Sequence, residues 1–419
     1  MTITATTAQE RMARAKEAAR SVGLLSDAEK ARALGAIADA VDAATAEIVA
    51  ANAEDLARGR ESGLSDGLLD RLRLDDARVH ALASAVRDVA LLPDPVGRVL
   101  DERTLANGVA LQKVSVPFGV VGSIYEARPN VTVDIAALAL RSGNTVVLRG
   151  GTAAQSSNAA LVAVMRGALA SVGVDPEAIQ TVDDFGREGA NALMQARGLV
   201  DVLVPRGSAQ LIETVVTQSS VPVIETGAGV VHIVLDASAP LEWAEQIVVN
   251  AKAQRPSVCN AVETVLVVRS AADRLIPPVA AALEEAGVTI HGDDEVRALV
   301  AGAVPVTDDD WATEHMSLDL SMRVVDDLDD ALAHIRRYST HHTESIITAD
   351  DANAERFLAE VDSAVVMANA STRFTDGGEF GFGAEVGIST QKLHARGPMG
   401  LPELTSTKWL ARGAGQIRA

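Results

Sequence analysis

Thr145-Val-Val-Leu-Arg149-Gly150-Gly151-Thr152 is the stretch whose reading decides the fold. A short valine-rich run ends in a basic residue and a glycine pair, and an alanine-rich helical pattern follows. That is a strand, a tight turn and a helix. The pattern returns in Asp201-Val-Leu-Val-Pro-Arg206-Gly207-Ser208, where the turn ends in a serine suited to cap the next helix. Between Gly119 and about Leu235, the runs Val120–Ile124, Thr145–Leu148, Val200–Val204 and Val221–Ile224 alternate with alanine-rich stretches. Such alternation predicts a parallel sheet with crossover helices. A second section repeats it with Val262–Val268, Arg323–Val325, Ser345–Thr348 and Ala364–Val366, with a helix over Leu328–Arg337. The reading is α/β, with two units joined near Glu225.

The first ninety residues read as helical. Ser26-Asp-Ala-Glu29 matches a capping box, and Leu34, Ile37, Ala38 and Val41 follow at helical spacing. Val99 through Pro117 reads as a hairpin around Asn107-Gly108, a dipeptide favoured in type I′ turns.

Composition bounds the function. The chain has 419 residues, 48% of them hydrophobic, with a formal net charge of −20. Its pI is about 4.8 and its mean hydropathy +0.16. Core material is ample, and the acidic balance argues against nucleic acid or anionic membranes as partners. The N-terminus lacks a basic start with an apolar run, so no signal peptide is expected. No window is apolar for long enough to span a membrane. One cysteine cannot make an internal disulfide, which points to a reducing, cytoplasmic setting.

That cysteine, Cys259, lies in Asn250-Ala-Lys252-Ala-Gln-Arg255-Pro-Ser-Val-Cys259-Asn-Ala-Val-Glu-Thr264. A lone cysteine is commonly a small buried hydrophobe. Here Arg255 and Lys252 stand upstream, and Asn260 and Ala261 offer backbone N–H groups, a setting that favours a thiolate nucleophile. Glu225, in Ile224-Glu-Thr-Gly-Ala-Gly229, is either an exposed turn residue or a base beside the sulfur. In Tyr125-Glu-Ala-Arg128-Pro-Asn130, Asn130 either caps a helix or donates to a developing oxyanion. The two strand-to-helix turns would aim backbone N–H groups and the Arg149 and Arg206 guanidiniums at phosphate, and together they suggest a dinucleotide. No Rossmann fingerprint or P-loop occurs, and Gly381-Phe-Gly383-Ala-Glu-Val-Gly387 reads as a loop. Arg373, His394 and Arg396 sit in glycine-rich and basic stretches suited to a carboxylate or phosphate. His341-His342 has no third metal ligand at a suitable spacing, so no metal is expected.

Tyr125-Glu-Ala-Arg-Pro-Asn130, Ser142-Gly-Asn-Thr-Val-Val-Leu-Arg-Gly150, Gln254-Arg-Pro-Ser-Val-Cys-Asn260, Thr340-His-His-Thr-Glu344 and Lys392-Leu-His-Ala-Arg-Gly-Pro-Met-Gly400 together resemble the aldehyde dehydrogenase superfamily, and within it the γ-glutamyl phosphate reductase family. The resemblance implies two Rossmann-like α/β domains plus an oligomerisation element made of a β-hairpin and a C-terminal strand. It places an NADP-binding domain at 1–98 with 118–224, a catalytic domain at 225–403, and the oligomerisation element at 99–117 with 404–419. Leu404–Ile417 would then pair with the hairpin of a partner subunit.

The activity implied is NADPH-dependent reduction of γ-glutamyl 5-phosphate to glutamate 5-semialdehyde in proline biosynthesis, through a thioester on Cys259. The alternatives are a hydrolytic NAD(P)-dependent aldehyde dehydrogenase and a catalytically silent nucleotide-binding scaffold. By the same resemblance Glu225 stands where oxidising relatives keep a water-activating glutamate. Arg149 replaces a lysine at the adenosine ribose, Gly207-Ser208 takes the pyrophosphate turn, and Glu314 grips the nicotinamide ribose. Gly150, Gly151, Thr152 and Arg206 complete the cofactor set, with Arg255 beside the nucleophile. Two features depart from the superfamily. Asn130 stands about one helical turn nearer the Gly-Asn-Thr string than the oxyanion asparagine does. Thr152 replaces a ribose-binding glutamate, which with Arg149 favours NADPH over NADH. The expected partners are the small-molecule substrate, further copies of the chain as a dimer or tetramer, and an upstream glutamate kinase in transient contact.

Overall fold

The computed structural model describes residues 6–126 and 128–418. Its described residues divide into two compact units. One holds the chain up to Glu225 with Phe382–Gly387 and everything from Met399 on, and the other holds Thr226–Gly381 and Ile388–Pro398. Phe382–Gly387 and residues 399–403 thus lie with the first unit and not with residues 226–381. Their hydrogen bonds show why: Val386 N–H donates to the Met399 carbonyl, and Asn144 Nδ2 donates to the Leu404 carbonyl at 2.9 Å.

The first unit opens with five helices between Ala8 and Leu91. The capping box forms as predicted, with Ser26 Oγ accepting from Glu29 N–H and Glu29 returning to Ser26 N–H. Leu34, Ile37, Ala38 and Val41 all lose their solvent contact. For side chains of the size of leucine, isoleucine and valine that burial contributes about 1.5–3 kcal/mol each. A parallel sheet follows, in the order Ile179–Thr181, Thr145–Arg149, Val120–Tyr125, Val202–Arg206. The first of these strands was not foreseen. Val221–Ile224, expected as a further strand, contributes only one bridge, Val223 to Leu203. Pro222 has no N–H to extend the ladder.

A three-stranded antiparallel sheet completes this unit, in the order Val99–Thr104, Ala110–Pro117, Thr405–Arg412. Two expectations are corrected here. The C-terminal strand pairs with the hairpin of its own chain, from Thr405 opposite Pro117 to Arg412 opposite Ala110. The short connection from residues anchored at Leu404 delivers it there. The hairpin turn is also not type I′: Gly108 N–H donates to the Leu105 carbonyl at 2.8 Å, so Ala106 and Asn107 are its central pair, and the positive φ, +86°, falls on Gly108 after them. Asn107 Oδ1 instead accepts from Val109 N–H at 3.2 Å.

The second unit is built on a wholly parallel seven-stranded sheet in the order Val304–Pro305, Thr289–Gly292, Asp319–Val325, Val262–Val268, Val231–Leu235, Thr343–Ile347, Val365–Ala368. Its central strands are fully buried, as continuous apolar runs in a parallel sheet require. The helix Leu328–Tyr338 matches the predicted segment to within one residue.

Candidate active site

The sheet register of the first unit joins the two junctions singled out in the sequence. Arg149 lies opposite Ile124 and Arg206 opposite Tyr125, so both guanidinium-bearing residues flank the C-terminal end of the same central strand. That edge is where open α/β sheets bind ligands. Arg206 forms no salt bridge among the described residues, and Arg149 Nε donates weakly to the Gly186 carbonyl at 3.4 Å.

The amide groups are another matter. Gly150 N–H, expected to face phosphate, donates to Asp183 Oδ1 at 2.7 Å. Burial raises the pKa of the Asp183 carboxyl, while Asn158, Gly150, Thr181 and the Arg149 charge pull it down. A Cβ on Gly150 would stand 2.0 Å from Asn158 Nδ2, so only glycine passes this point. The helix Gln155–Ser171 has its first N–H groups taken by buried Asp55, at 3.1 Å from Ser156 N and 2.8 Å from Ser157 N. The phosphate reading of the first turn is therefore corrected. The Gly150 N–H and the first N–H groups of the following helix are satisfied by carboxylates of this chain, as a helix N-terminus attracts the nearest anion.

At the second turn Ser208 caps the helix Ala209–Gln218 as expected. Its N–H and Oγ also donate to the two oxygens of Glu126 at 3.0 and 2.8 Å. Unlike Asp55, Glu126 is exposed. Asn130 is not a cap. The helix Pro129–Arg141 starts with Arg128 at its N-cap, and Asn130 Nδ2 donates to Asp134 at 3.1 Å. Thr152 is exposed and opens a short 3₁₀ turn directly after Gly151. Glu225 is half-buried and is the last residue of this unit before the chain crosses over.

In the second unit, Cys259 sits half-buried in the loop between the helix Leu241–Ala253 and the strand Val262–Val268. It therefore stands at the N-terminal end of its strand. Asn260 organises this loop: its Nδ2 donates to the Thr375 carbonyl at 2.8 Å, and its carbonyl accepts from Thr372 Oγ1 at 2.8 Å. Arg373 reaches across, donating from Nη1 to Asn260 Oδ1 and from Nε to Gln254 Oε1 at 2.9 Å. Burial lowers the pKa of the Arg373 guanidinium and the Arg255 charge adds to that, while Asp376 and Cys259 oppose it. Cys259, Arg255 and Arg373 are thus within electrostatic reach of one another.

Two sequence-level expectations fail in this loop. Ala261 N–H donates to the Val258 carbonyl at 3.0 Å and so is not offered beside the sulfur. Lys252, expected as a cation near the thiol, is buried against Glu263. Glu314 Oε1 accepts from Gly229 N–H at 2.8 Å. His394 is exposed. Arg396 binds Asp362 through Nη1 at 2.8 Å and its carbonyl through Nη2 at 2.7 Å. Together with Lys392 it holds the Asp362 carboxyl down at about 2. Its two Nη groups are engaged by Asp362 and not held ready for substrate.

A family model of aldehyde dehydrogenases matches residues 1–304. The γ-glutamyl phosphate reductase of Leifsonia xyli subsp. xyli is 67% identical over 100% of this chain and 99% of its own length. That of Thermobifida fusca is 58% identical over 97% of each. The chain belongs to the aldehyde dehydrogenase family. A crystal structure of γ-glutamyl phosphate reductase from Thermotoga maritima superposes with a TM-score of 0.97, at 42% identity, covering 99% of this chain and 100% of that one.

As an aldehyde dehydrogenase family member the chain is an oxidoreductase of a group that uses NAD(P). The residues at the first sheet's C-terminal edge fit such a cofactor in part. Arg149, Arg206 and the serine-capped helix suit a polyanion, whereas the Gly150 amide after Arg149 is already satisfied. His341 Nδ1 is bonded to the Asp362 carbonyl. Among the described residues no group of three His, Cys, Asp or Glu could hold a metal ion. No helix among them is long and apolar enough to cross a membrane.

Sequence reasoning missed Asp183, Asp55, Glu126, Glu263 and Gly229. Glu263 meets Lys252 eleven residues away, and the others meet their partners across separations of 30 residues or more, which no local pattern encodes. Glu126, Gly229 and Glu263 did stand inside strings singled out in the sequence, but nothing there marked their partners.

Proposed function

We propose that this chain reduces γ-glutamyl 5-phosphate to glutamate 5-semialdehyde with NADPH, as a γ-glutamyl phosphate reductase of proline biosynthesis. The observation that carries it is the cation set at the nucleophile. Arg373 is bonded to both Gln254 and Asn260, which flank Cys259 in sequence, and Arg255 adds its charge. An acyl phosphate brings a dianionic leaving group that such cations stabilise. Full-length likeness to relatives of that name supports the same reading.

The Cys259 thiolate attacks the acyl carbon, and the C–O bond to phosphate breaks with its electron pair leaving on phosphate. Arg255 and Arg373 meet that charge. NADPH, when bound, supplies the hydride that reduces the resulting thioester. The tetrahedral oxyanion that hydride addition leaves on Cys259 takes up no water. Its C–S bond breaks, the aldehyde leaves, and the thiolate returns. A water-activating base would hydrolyse the thioester, so Glu225 has no such role in this direction. Arg149, Gly151, Thr152, Arg206, Gly207 and Ser208 are assigned to the adenosine and phosphate end of the cofactor, where Gly150 only lets the chain pass Asn158, and Glu314 is assigned to the nicotinamide ribose. Asn130 and the Cys259 N–H are assigned to the oxyanion, and Arg373 and His394 to substrate anions.

The proposal extends to a cytoplasmic homo-oligomer, dimer or tetramer, with transient contact to the upstream kinase. Its support is the antiparallel sheet, whose outer strands Val99–Thr104 and Thr405–Arg412 each present an unpaired edge and mostly exposed residues, Trp409 among them.

The deciding assay is NADPH formation from the semialdehyde, NADP and inorganic phosphate. Phosphate-dependent turnover is expected, lost by more than about a hundredfold in Cys259→Ser, with NADPH affinity retained. Glu225→Gln is expected to keep more activity than Cys259→Ser. A phosphate-independent burst followed by arrest in Glu225→Gln overturns the reading in favour of hydrolytic oxidation.

A further inference from the structure

The Cys259 loop hangs between the last turn of the helix Leu241–Ala253 and the start of the strand Val262–Val268. Lys252 lies in that last turn and Glu263 is the second residue of the strand. Lys252 Nζ donates to Glu263 Oε2 at 2.5 Å, and neither side chain has any solvent exposure. The two ends of the loop that carries the thiol are therefore cross-linked by a buried ion pair.

Glu263 has a second attachment. Its Oε1 accepts from Met316 N–H at 3.4 Å, and Met316 is a non-glycine residue with φ of +56°. Two residues before it, Glu314 accepts from Gly229 N–H at 2.8 Å. Gly229 in turn packs against the Cys259 carbonyl, where a Cβ would come within 1.6 Å. The polar contacts thus run from Lys252 through Glu263 and the Glu314–Met316 segment to Gly229, which packs on the backbone of Cys259.

Stability alone does not account for such a pair. A buried ion pair loses the hydration of both ions, and apolar residues of the same volume commonly stabilise a fold as well or better. Its advantage is directional: one donor geometry and one acceptor geometry fix the spacing of the two elements. Burial pushes the Glu263 carboxyl up to about 7, with the Lys252 charge pulling it down and Glu314 adding to the rise. Burial likewise lowers the pKa of Lys252 against the opposing pull of Glu263, Asp319 and Glu314. Desolvation thus works against both charges, in a place where the geometry of the neighbouring loop matters to the chemistry.

We propose that Lys252 and Glu263 act as one positioning unit, which sets the placement of the Cys259 thiol by fixing both ends of its loop. This rests on Cys259 being the nucleophile of the reaction proposed above.

The test uses the full-length protein and two variants. Glu263→Gln keeps the shape and an acceptor for Lys252 but removes the charge. Lys252→Met with Glu263→Leu removes both charges at similar volume. Three quantities are read: the second-order rate of Cys259 alkylation by iodoacetamide, kcat and the KM for NADP in the phosphate-dependent assay, and the thermal midpoint. The expected result is that alkylation and kcat fall together by about tenfold or more in both variants. The KM for NADP should stay within about twofold, and the double variant should remain folded. Wild-type alkylation and turnover in the folded double variant overturn the proposal, as does a fall in kcat with unchanged alkylation. Should the double variant not fold, wild-type rates in Glu263→Gln overturn it equally. Alkylation reads the thiol directly whatever the substrate, so this failure is distinct from activity surviving in Cys259→Ser.

Discussion

Gly229 stands so close to Cys259 that a Cβ on it would lie 1.6 Å from the Cys259 carbonyl oxygen and 2.6 Å from its carbonyl carbon. The obstruction is backbone, which cannot swing aside as a side chain can. Gly229→Ala is therefore expected to displace the nucleophile loop. Its kcat should fall by about a hundredfold, the scale of a roughly 1 Å misplacement of a reacting group. Steady-state kinetics with circular dichroism check this, and a folded variant within twofold of wild-type kcat contradicts it.

Arg149 is assigned to the 2′-phosphate of the cofactor, since exposed Thr152 places no carboxylate there. Losing a charge-assisted contact typically costs about 1.5–3 kcal/mol. Arg149→Ala should raise the KM for NADPH by about tenfold or more and leave that for NADH nearly unchanged. Equal rises for both cofactors remove Arg149 from 2′-phosphate recognition.

Glu126 holds Ser208 N–H and Oγ at 3.0 and 2.8 Å, on the helix N-terminus assigned to the cofactor's diphosphate. Two anions cannot share those donors. Glu126→Gln keeps an acceptor for serine while removing the competing charge. The KM for NADPH is expected to fall by about two- to fivefold, on the scale of an anion's interaction with a helix N-terminus. An unchanged or higher KM would place the diphosphate elsewhere.

Asp134 offers a test by pH. Burial pushes its carboxyl up to about 6 from the ordinary 3.8, against the pull of Asn130 and of the Arg206 charge. The folded state holds this proton more tightly than the unfolded chain does. The ionised carboxylate therefore destabilises the fold fully above about pH 6, and the penalty fades as pH falls toward 3.8. Asp134→Asn should stabilise the protein at pH 7.5, by up to about 3 kcal/mol, with the gain vanishing near pH 4. Thermal melts across that range decide it, and a gain that does not change with pH assigns the effect to something other than this proton.

The sequence by itself determined most of the elements and singled out Cys259, the nucleophile of the proposed reaction. Ser26 and Glu29 lie three residues apart, the valine runs are contiguous, and the strings around Arg149, Ser208 and Cys259 are each read locally, so capping, strand periodicity and turn chemistry sufficed. The strand Val262–Val268 came out at its full length, because a buried parallel strand is written as one apolar run. Only the tertiary structure decided where the polar groups are satisfied. Asp55 reaches the helix at Ser157, Asp183 reaches Gly150, and Glu126 reaches Ser208, each across a separation over which no residue spacing carries information. The same holds for Lys252. In sequence it was one more cation near the cysteine, and in the folded chain it is neutralised by Glu263. The C-terminal strand followed the same rule, its pairing with Ala110–Pro117 of the same chain set by the anchoring of Leu404. Local pattern specifies which backbone shape a segment prefers. Which donor finds which acceptor is settled only when burial removes water as the alternative partner.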